Sequence, residues 1–314
     1  MSNRDGVGVG GCTRRAFMKG GMAGIGAAVA PTIAFAQAQP AQFKIGDIDA
    51  IVLSDGSMNM PVSFVLPTVE EKVVRDLFQT GAAPSIVAQV NVVVLKTGGG
   101  LVLIDAGGSA DFIATIGSFA DRFEQAGFKA EHVTDIVLTH AHPDHLWGAI
   151  DGFDESRFAK ARVHMSVAER DFWMQPGLTG SMPDPLKGMT AGTQRRLKII
   201  EAQISGQKIG AEILPGISLV DTAGHTPGHA SVLISSKNEA LLVGGDALSN
   251  AIVSFEKPDW IWGPDFEPDK AIASRKQLLD RLATDRLRLV GYHLPWPGLG
   301  RVERKDNAYR FVTG

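Results

Sequence analysis

Cysteine is all but missing from this chain, which has a single one, Cys12. A disulfide framework, a thiol nucleophile and a cysteine-ligated structural zinc are therefore excluded for everything beyond residue 12. Cys12 also precedes the apolar stretch at 20–36, whereas a lipobox cysteine would follow one, so lipidation has no support. Positive charge is not in surplus either: 31 Lys and Arg stand against 34 Asp and Glu, a net charge of −3. Such a surface does not favour polyanions, and nucleic acid is not an expected partner. No apolar run reaches the roughly 20 residues of a membrane span, because glycines interrupt the stretch from Gly20 to Ala36. The Gly-x-Ser-x-Gly turn that presents a serine nucleophile is absent as well.

The first forty residues read as an export leader. Thr13-Arg14-Arg15-Ala16-Phe17-Met18-Lys19 matches the twin-arginine pattern, and Ala34-Phe35-Ala36 supplies a small-residue cleavage signal. The expectation is a signal peptide over 1–36, handled by the twin-arginine translocase, and a periplasmic or secreted mature chain from about Gln37 without stable membrane insertion. An uncleaved anchor is the alternative. Loss of Arg4, Arg14, Arg15 and Lys19, against Asp5 alone, would leave the mature chain more acidic. Residues 37–314 are enough for a substantial core and suit one domain.

What the chain does have is histidine in short order. His140-Ala141-His142-Pro143-Asp144-His145 packs three imidazoles and one carboxylate into six residues, directly after the apolar run Asp135-Ile136-Val137-Leu138. Side chains two apart on an extended segment share a face, so His140 and His142 can converge on one cation. Pro143 ends that segment, and Asp144 and His145 point elsewhere, toward a second site. Imidazole with carboxylate suits zinc, iron, manganese or cobalt. The same device recurs downstream. Ile217-Ser218-Leu219-Val220 leads into Asp221 through His229, Leu241-Leu242-Val243 leads to Asp246, and Leu287-Arg288-Leu289-Val290 leads to His293. Each is an apolar strand that ends on a potential ligand.

The order HxHxDH, GHTPGH, GGD and a late His resembles the metallo-β-lactamase superfamily, hydrolases built as an αββα sandwich with a metal centre at one edge. The resemblance implies a single-domain α/β sandwich holding two divalent ions, zinc first, with manganese, iron or cobalt possible. It assigns His140, His142 and His225 to the first ion and Asp144, His145 and His293 to the second, with Asp246 bridging them. Asp105, ending Leu101-Val102-Leu103-Ile104, would orient ligands from behind; His229 is read as supporting too, or as purely structural. Asp47–Pro61, Asp171-Phe172-Trp173 and the tail from His293 resemble the methyl parathion hydrolase branch and its lactonase relatives. That branch tends to dimerise, and Met58–Leu66 is a candidate homodimer contact or else a segment over the pocket mouth.

Strands are expected near 43–54, 87–96, 101–105, 134–139, 161–165, 217–221, 230–235, 240–245 and 286–291. Helices are expected near 111–126, 166–174, 189–205 and 268–284, with loops over 175–188 and 257–268. A water between two ions roughly 3.5–4 Å apart loses its proton near neutral pH, with Asp144 and Asp246 as the catalytic carboxylates that orient it. Phe112, Trp173, Trp260 and Trp262 are the candidate pocket aromatics. Where the methyl parathion hydrolase branch has paired phenylalanines after a Lys-Gly step, this chain has Met189-Thr190, which weighs against an efficient phosphotriesterase. The expected activity is hydrolysis of carboxylic esters or lactones, acyl-homoserine lactones included, with phosphotriesters as the alternative substrate class. An iron redox enzyme is disfavoured because His142 stands where flavodiiron relatives have Glu, and a non-catalytic metal binder because no ligand position is missing.

Overall fold

The structure, a computed structural model, describes residues 39–78 and 85–314. The expected leader over 1–36 lies outside the described residues. Among them, fourteen strands form two seven-stranded sheets. The first runs in chain order: β1 (Ala41–Ile45), β2 (Ile48–Pro61), β3 (Ser85–Thr97), β4 (Gly100–Ile104), β5 (Val133–Val137), β6 (Arg162–Ser166) and β7 (Ile204–Gln207). The second is β8 (Glu212–Leu214), β9 (Ile217–Asp221), β10 (Ala230–Ser236), β11 (Glu239–Val243), β12 (Arg288–Val290), β13 (Leu299–Lys305) and β14 (Ala308–Thr313).

Alternation along the strands builds three apolar layers. Val93 and Leu95 of β3 face inward and meet Val232 and Ile234 of β10 between the sheets. Their neighbours Val92 and Val94 face outward, in one cluster with Phe119, Phe123, Trp173 and Leu197. On the far side Leu278, Leu279 and Leu282 of the helix Pro268–Thr284 pack over Leu242 and Leu289. Truncating any of these fully buried leucines to alanine costs about 2–5 kcal/mol. Helices on both outer faces and two sheets between them make the αββα sandwich that the sequence led us to expect.

Strand direction decides where the ligands go. β4 and β5 are parallel, as are β11 and β12, and two antiparallel steps bring β9 into the same sense as β11. Asp105, His140–His145, Asp221–His229, Asp246 and His293 all follow the C-terminal ends of these strands and so gather at one edge of the sandwich.

Several local expectations need correction. The strand near 43–54 is a hairpin, β1 and β2 turning at Gly46 (φ 55), and β2 continues to Pro61. The helix near 111–126 is confined to Phe119–Gln125, because buried Asp55 accepts the backbone N–H groups of Gly108, Gly117 and Phe119 and holds 108–119 as a turn. The span 175–188 is not all loop: a turn of helix covers Leu178–Ser181, and the helix expected near 189 begins at Asp184, where Pro185 suits the first turn. Met58–Pro61 completes β2 and Val62–Val65 is a helical turn. Half-exposed Phe64 there is among the residues that line a cavity beside the ligand cluster.

Candidate metal centre

Three imidazoles meet first. His140 Nε2 lies 2.9 Å from His142 Nδ1, which is 2.9 Å from His225 Nε2. Beside them His145 Nε2 and His293 Nε2 each lie 3.1 Å from Asp246 Oδ1, and Asp144 Oδ2 is 3.5 Å and 3.3 Å from the same two nitrogens. Asp246 spans both groups, since its Oδ2 is 3.2 Å from His225 Nε2. All seven side chains are buried.

Hydrogen bonds at the outer nitrogens fix which ring atoms face inward. His145 Nδ1 donates to Asp105 Oδ2 (2.9 Å), His225 Nδ1 to Asp265 Oδ1 (2.9 Å) and His293 Nδ1 to the Gln89 carbonyl (2.7 Å). Thr139 Oγ1, donating to Asp105 (2.9 Å), is placed to accept from His140 Nδ1 at 3.1 Å. In its neutral form each of these imidazoles is thus left with a bare Nε2 aimed at other lone pairs about 3 Å away. Bare nitrogen and carboxylate oxygen at such separations repel unless a proton or a cation lies between them. Among the described residues His142 Nε2, His145 Nε2 and Asp246 Oδ1 are buried without a hydrogen-bond partner. The triads His140/His142/His225, His140/His145/Asp246 and Asp144/His145/His293 each present ligand atoms within 4.8 Å of one another. The donor set of nitrogens and hard oxygens fits two divalent ions.

Electrostatics divide the cluster. Burial pushes His140 and His142 well below the ordinary imidazole range, and neighbouring imidazoles add to the effect. Burial opposes charge on His145 too, yet Asp144, Asp246 and Asp105 outweigh it and lift the ring to about 10. His293 is raised against the same penalty by Asp246 and Asp144. Burial works against ionising Asp144 and Asp246, but the imidazoles hold both below the usual carboxylate range, His145 foremost for Asp144 and His293 for Asp246.

Asp105 and His229 stand behind the cluster. Asp105 follows β4 at φ 61, a conformation rare outside glycine, and accepts from the Thr139 N–H (2.8 Å) as well as from His145. His229 accepts the Asp246 backbone N–H at Nε2 (2.9 Å) while Nδ1 faces Thr222. Gly245 makes this approach possible: a Cβ there would lie 2.6 Å from His229 Nε2, and its φ is +52.

The cleft beside the cluster has a volume of about 610 Å³ and a mostly apolar wall. Phe112 and Trp262 line it. Trp173 and Trp260 do not. Trp173 is fully buried, donates to Glu169 and sets its ring edge against His142; its neighbour Phe172 faces the cavity instead. Trp260 sits in a loop whose carbonyl accepts from Arg275, packed on a satellite cluster. Met58, Met60, Met182 and Met189 supply much of the remaining wall.

Sequence reasoning missed Glu169, Asp55 and Asp265. All three are buried carboxylates that accept from residues 28 to 64 positions away as well as from nearer ones. Asp265 links His225 to Arg275 (2.9 Å). Tyr292, next to the ligand candidate His293, donates to the Asp144 carbonyl (2.7 Å) and stacks on His145 at 3.9 Å.

Comparison with known proteins points the same way. The chain resembles AidC, a dizinc quorum-quenching lactonase solved with its product N-hexanoyl-L-homoserine. The TM-score is 0.82 and the identity 29%, over 88% of this chain and 97% of AidC. An N-acyl homoserine lactonase of Bacillus cereus is 26% identical over 223 residues, 70% of this chain and 76% of that protein. A protein of Mycobacterium bovis described as a "probable metallo-hydrolase" is 30% identical over 183 residues; the match covers 50% of this chain and only 56% of the mycobacterial protein. The model of the metallo-beta-lactamase superfamily matches residues 86–293, more than half of the sequence, and the chain belongs to that superfamily.

Proposed function

We propose that this protein is a dinuclear metal-dependent hydrolase acting on lactones and carboxylic esters, N-acyl homoserine lactones among them. The carrying observation is Asp246. One of its oxygens faces His145 and His293 and the other faces His225, so a single carboxylate joins two sets of bare ligand atoms. Two bound divalent ions, zinc in the first place, would supply Lewis acidity and lower the pKa of a bound water toward neutrality. His140, His142 and His225 would hold one, Asp144, His145 and His293 the other. Asp144 and Asp246 both line the cleft and are held as carboxylates, the state in which each accepts a proton. The aromatic and methionine wall excludes water and suits an acyl chain. Resemblance to AidC and to the Bacillus cereus lactonase supports the lactone reading.

Phosphotriesters are the second substrate class, since they offer a similar polarised oxygen and leaving oxygen to the same site. Met189 lining the cleft in place of a phenylalanine argues for lactone over phosphotriester. Ranking lactones, aryl esters and phosphotriesters by kcat/KM with the zinc-loaded protein tests the assignment. Lactones should lead, and a phosphotriester leading by tenfold or more would reverse it. We also read residues 1–36 as a twin-arginine leader and the mature chain as exported.

A further inference from the structure

Glu169 is fully buried and accepts four hydrogen bonds: one from the loop at Ala141, one from Trp173 on its own helix and two from the loop that follows His225. Its Oε1 accepts from the Ala141 N–H (2.9 Å) and from Trp173 Nε1 (2.6 Å). Its Oε2 accepts from Thr226 Oγ1 (2.6 Å) and from the Gly228 N–H (3.1 Å). Ala141 is the residue between His140 and His142; Thr226 and Gly228 follow His225. We propose that Glu169 is the positioning residue of the first cation site, each carboxylate oxygen holding one of the two loops that carry His140, His142 and His225. This inference rests on the two-ion reading.

The sharing of work between the oxygens is the reason. The His140–His142 loop leaves β5 in one sheet and the His225 loop leaves β9 in the other; at their base Ala230 N–H donates to the Thr139 carbonyl (2.9 Å), and nearer the ligands the link is Glu169. A carboxylate between them has acceptor capacity for all four donors, and three of those, two backbone N–H groups and an indole N–H, can only donate. Burial pushes its pKa up and the four donors pull it back. The helix Val167–Met174 that bears Glu169 is itself fixed to the second loop, because Ser166 caps the helix at the Glu169 N–H (3.0 Å) and donates to the Gly228 carbonyl (2.6 Å). Gly228 lies so near that a Cβ would fall 2.0 Å from the Glu169 nitrogen. None of the four bonds reaches Asp144, His145, Asp246 or His293, so the effect of losing them falls first on the ion at His140, His142 and His225.

Glu169→Gln keeps the shape and sets an amide NH₂ against donors. Outer partners of this kind are worth about 10–100-fold in metal affinity, so the variant should release the ion at His140/His142/His225 at about 10–100-fold lower chelator strength. The ion at Asp144/His145/His293 should be held as in wild type. The readouts are zinc per protomer after dialysis against graded chelator and site occupancies from anomalous diffraction. Should Glu169→Gln fail to fold, Thr226→Val removes one Oε2 contact only and should shift the same ion in the same direction, by less. Wild type retaining two ions while the variant loses both together, or neither, would overturn the role of Glu169. Wild type holding fewer than two ions would overturn the two-ion reading, and the inference with it.

Discussion

Replacing Asp105 by asparagine tests whether outer hydrogen bonds select the ligating tautomer. Asp105 is fully buried and faces donors only: the Thr139 N–H at 2.8 Å, the Thr139 hydroxyl at 2.9 Å and His145 Nδ1 at 2.9 Å. An asparagine has one acceptor oxygen, so its NH₂ must oppose either the Thr139 pair or His145. If it opposes His145, the ring relieves the clash by moving its proton to Nε2, the atom 3.1 Å from Asp246 Oδ1. That proton occupies the lone pair a cation would use. Keeping the original tautomer instead leaves a buried donor unpaired, at about 1–3 kcal/mol. At tenfold per 1.4 kcal/mol this is about 5–100-fold in affinity for the second ion, in the range found for outer partners of metal ligands. The shape of the side chain is unchanged, so the far-UV circular dichroism spectrum should match wild type. Calorimetric titration of zinc into the stripped protein would read the loss. A second binding step of wild-type affinity in Asp105→Asn would refute the tautomer argument.

Asp246→Ala should lower kcat for lactones and p-nitrophenyl esters by at least about a hundredfold and zinc content below two per protomer, since both groups lose a ligand; unchanged turnover would remove the bridging role. Metal-free protein should melt highest near neutral pH. His145 and His293 hold protons in the fold, so their contribution is complete below the ordinary 6.5 and is lost as pH rises through about 10 for His145. His140 and His142 are depressed and neutral in the fold, so stability also falls below pH 6.5, where the unfolded chain takes up protons that they refuse. A Tm that climbs steadily from pH 7 to 10 in chelator would contradict the raised pair, and one that does not fall below pH 6.5 would contradict the depressed pair. Changing Arg14 and Arg15 together to lysine should abolish export of a reporter fused to the leader, and continued export would discard the twin-arginine assignment.

How much of this was legible in the sequence depends on distance along the chain. His140, His142, Asp144 and His145 stand in six residues after an apolar run, and His225, Asp246 and His293 each follow another. The ligand types and the strands that deliver them are local facts, and parallel strand directions then bring them to one edge. The helix Pro268–Thr284 was equally readable, because a leucine stripe at helical spacing is its own signal. Phe172 and Trp173 show the limit. Consecutive residues on a helix differ in direction by about 100°, and which of the two faces the cleft depends on how the helix rolls against the sheet. Only packing sets that roll. Glu169, Asp55 and Asp265 were invisible for a related reason: a lone acid in a sequence carries no mark of the donors that tertiary structure will bring to it. The chain by itself determined which atoms can bind a cation. The folded sandwich decided which of their lone pairs point inward, because that choice belongs to hydrogen bonds between segments that meet only after folding.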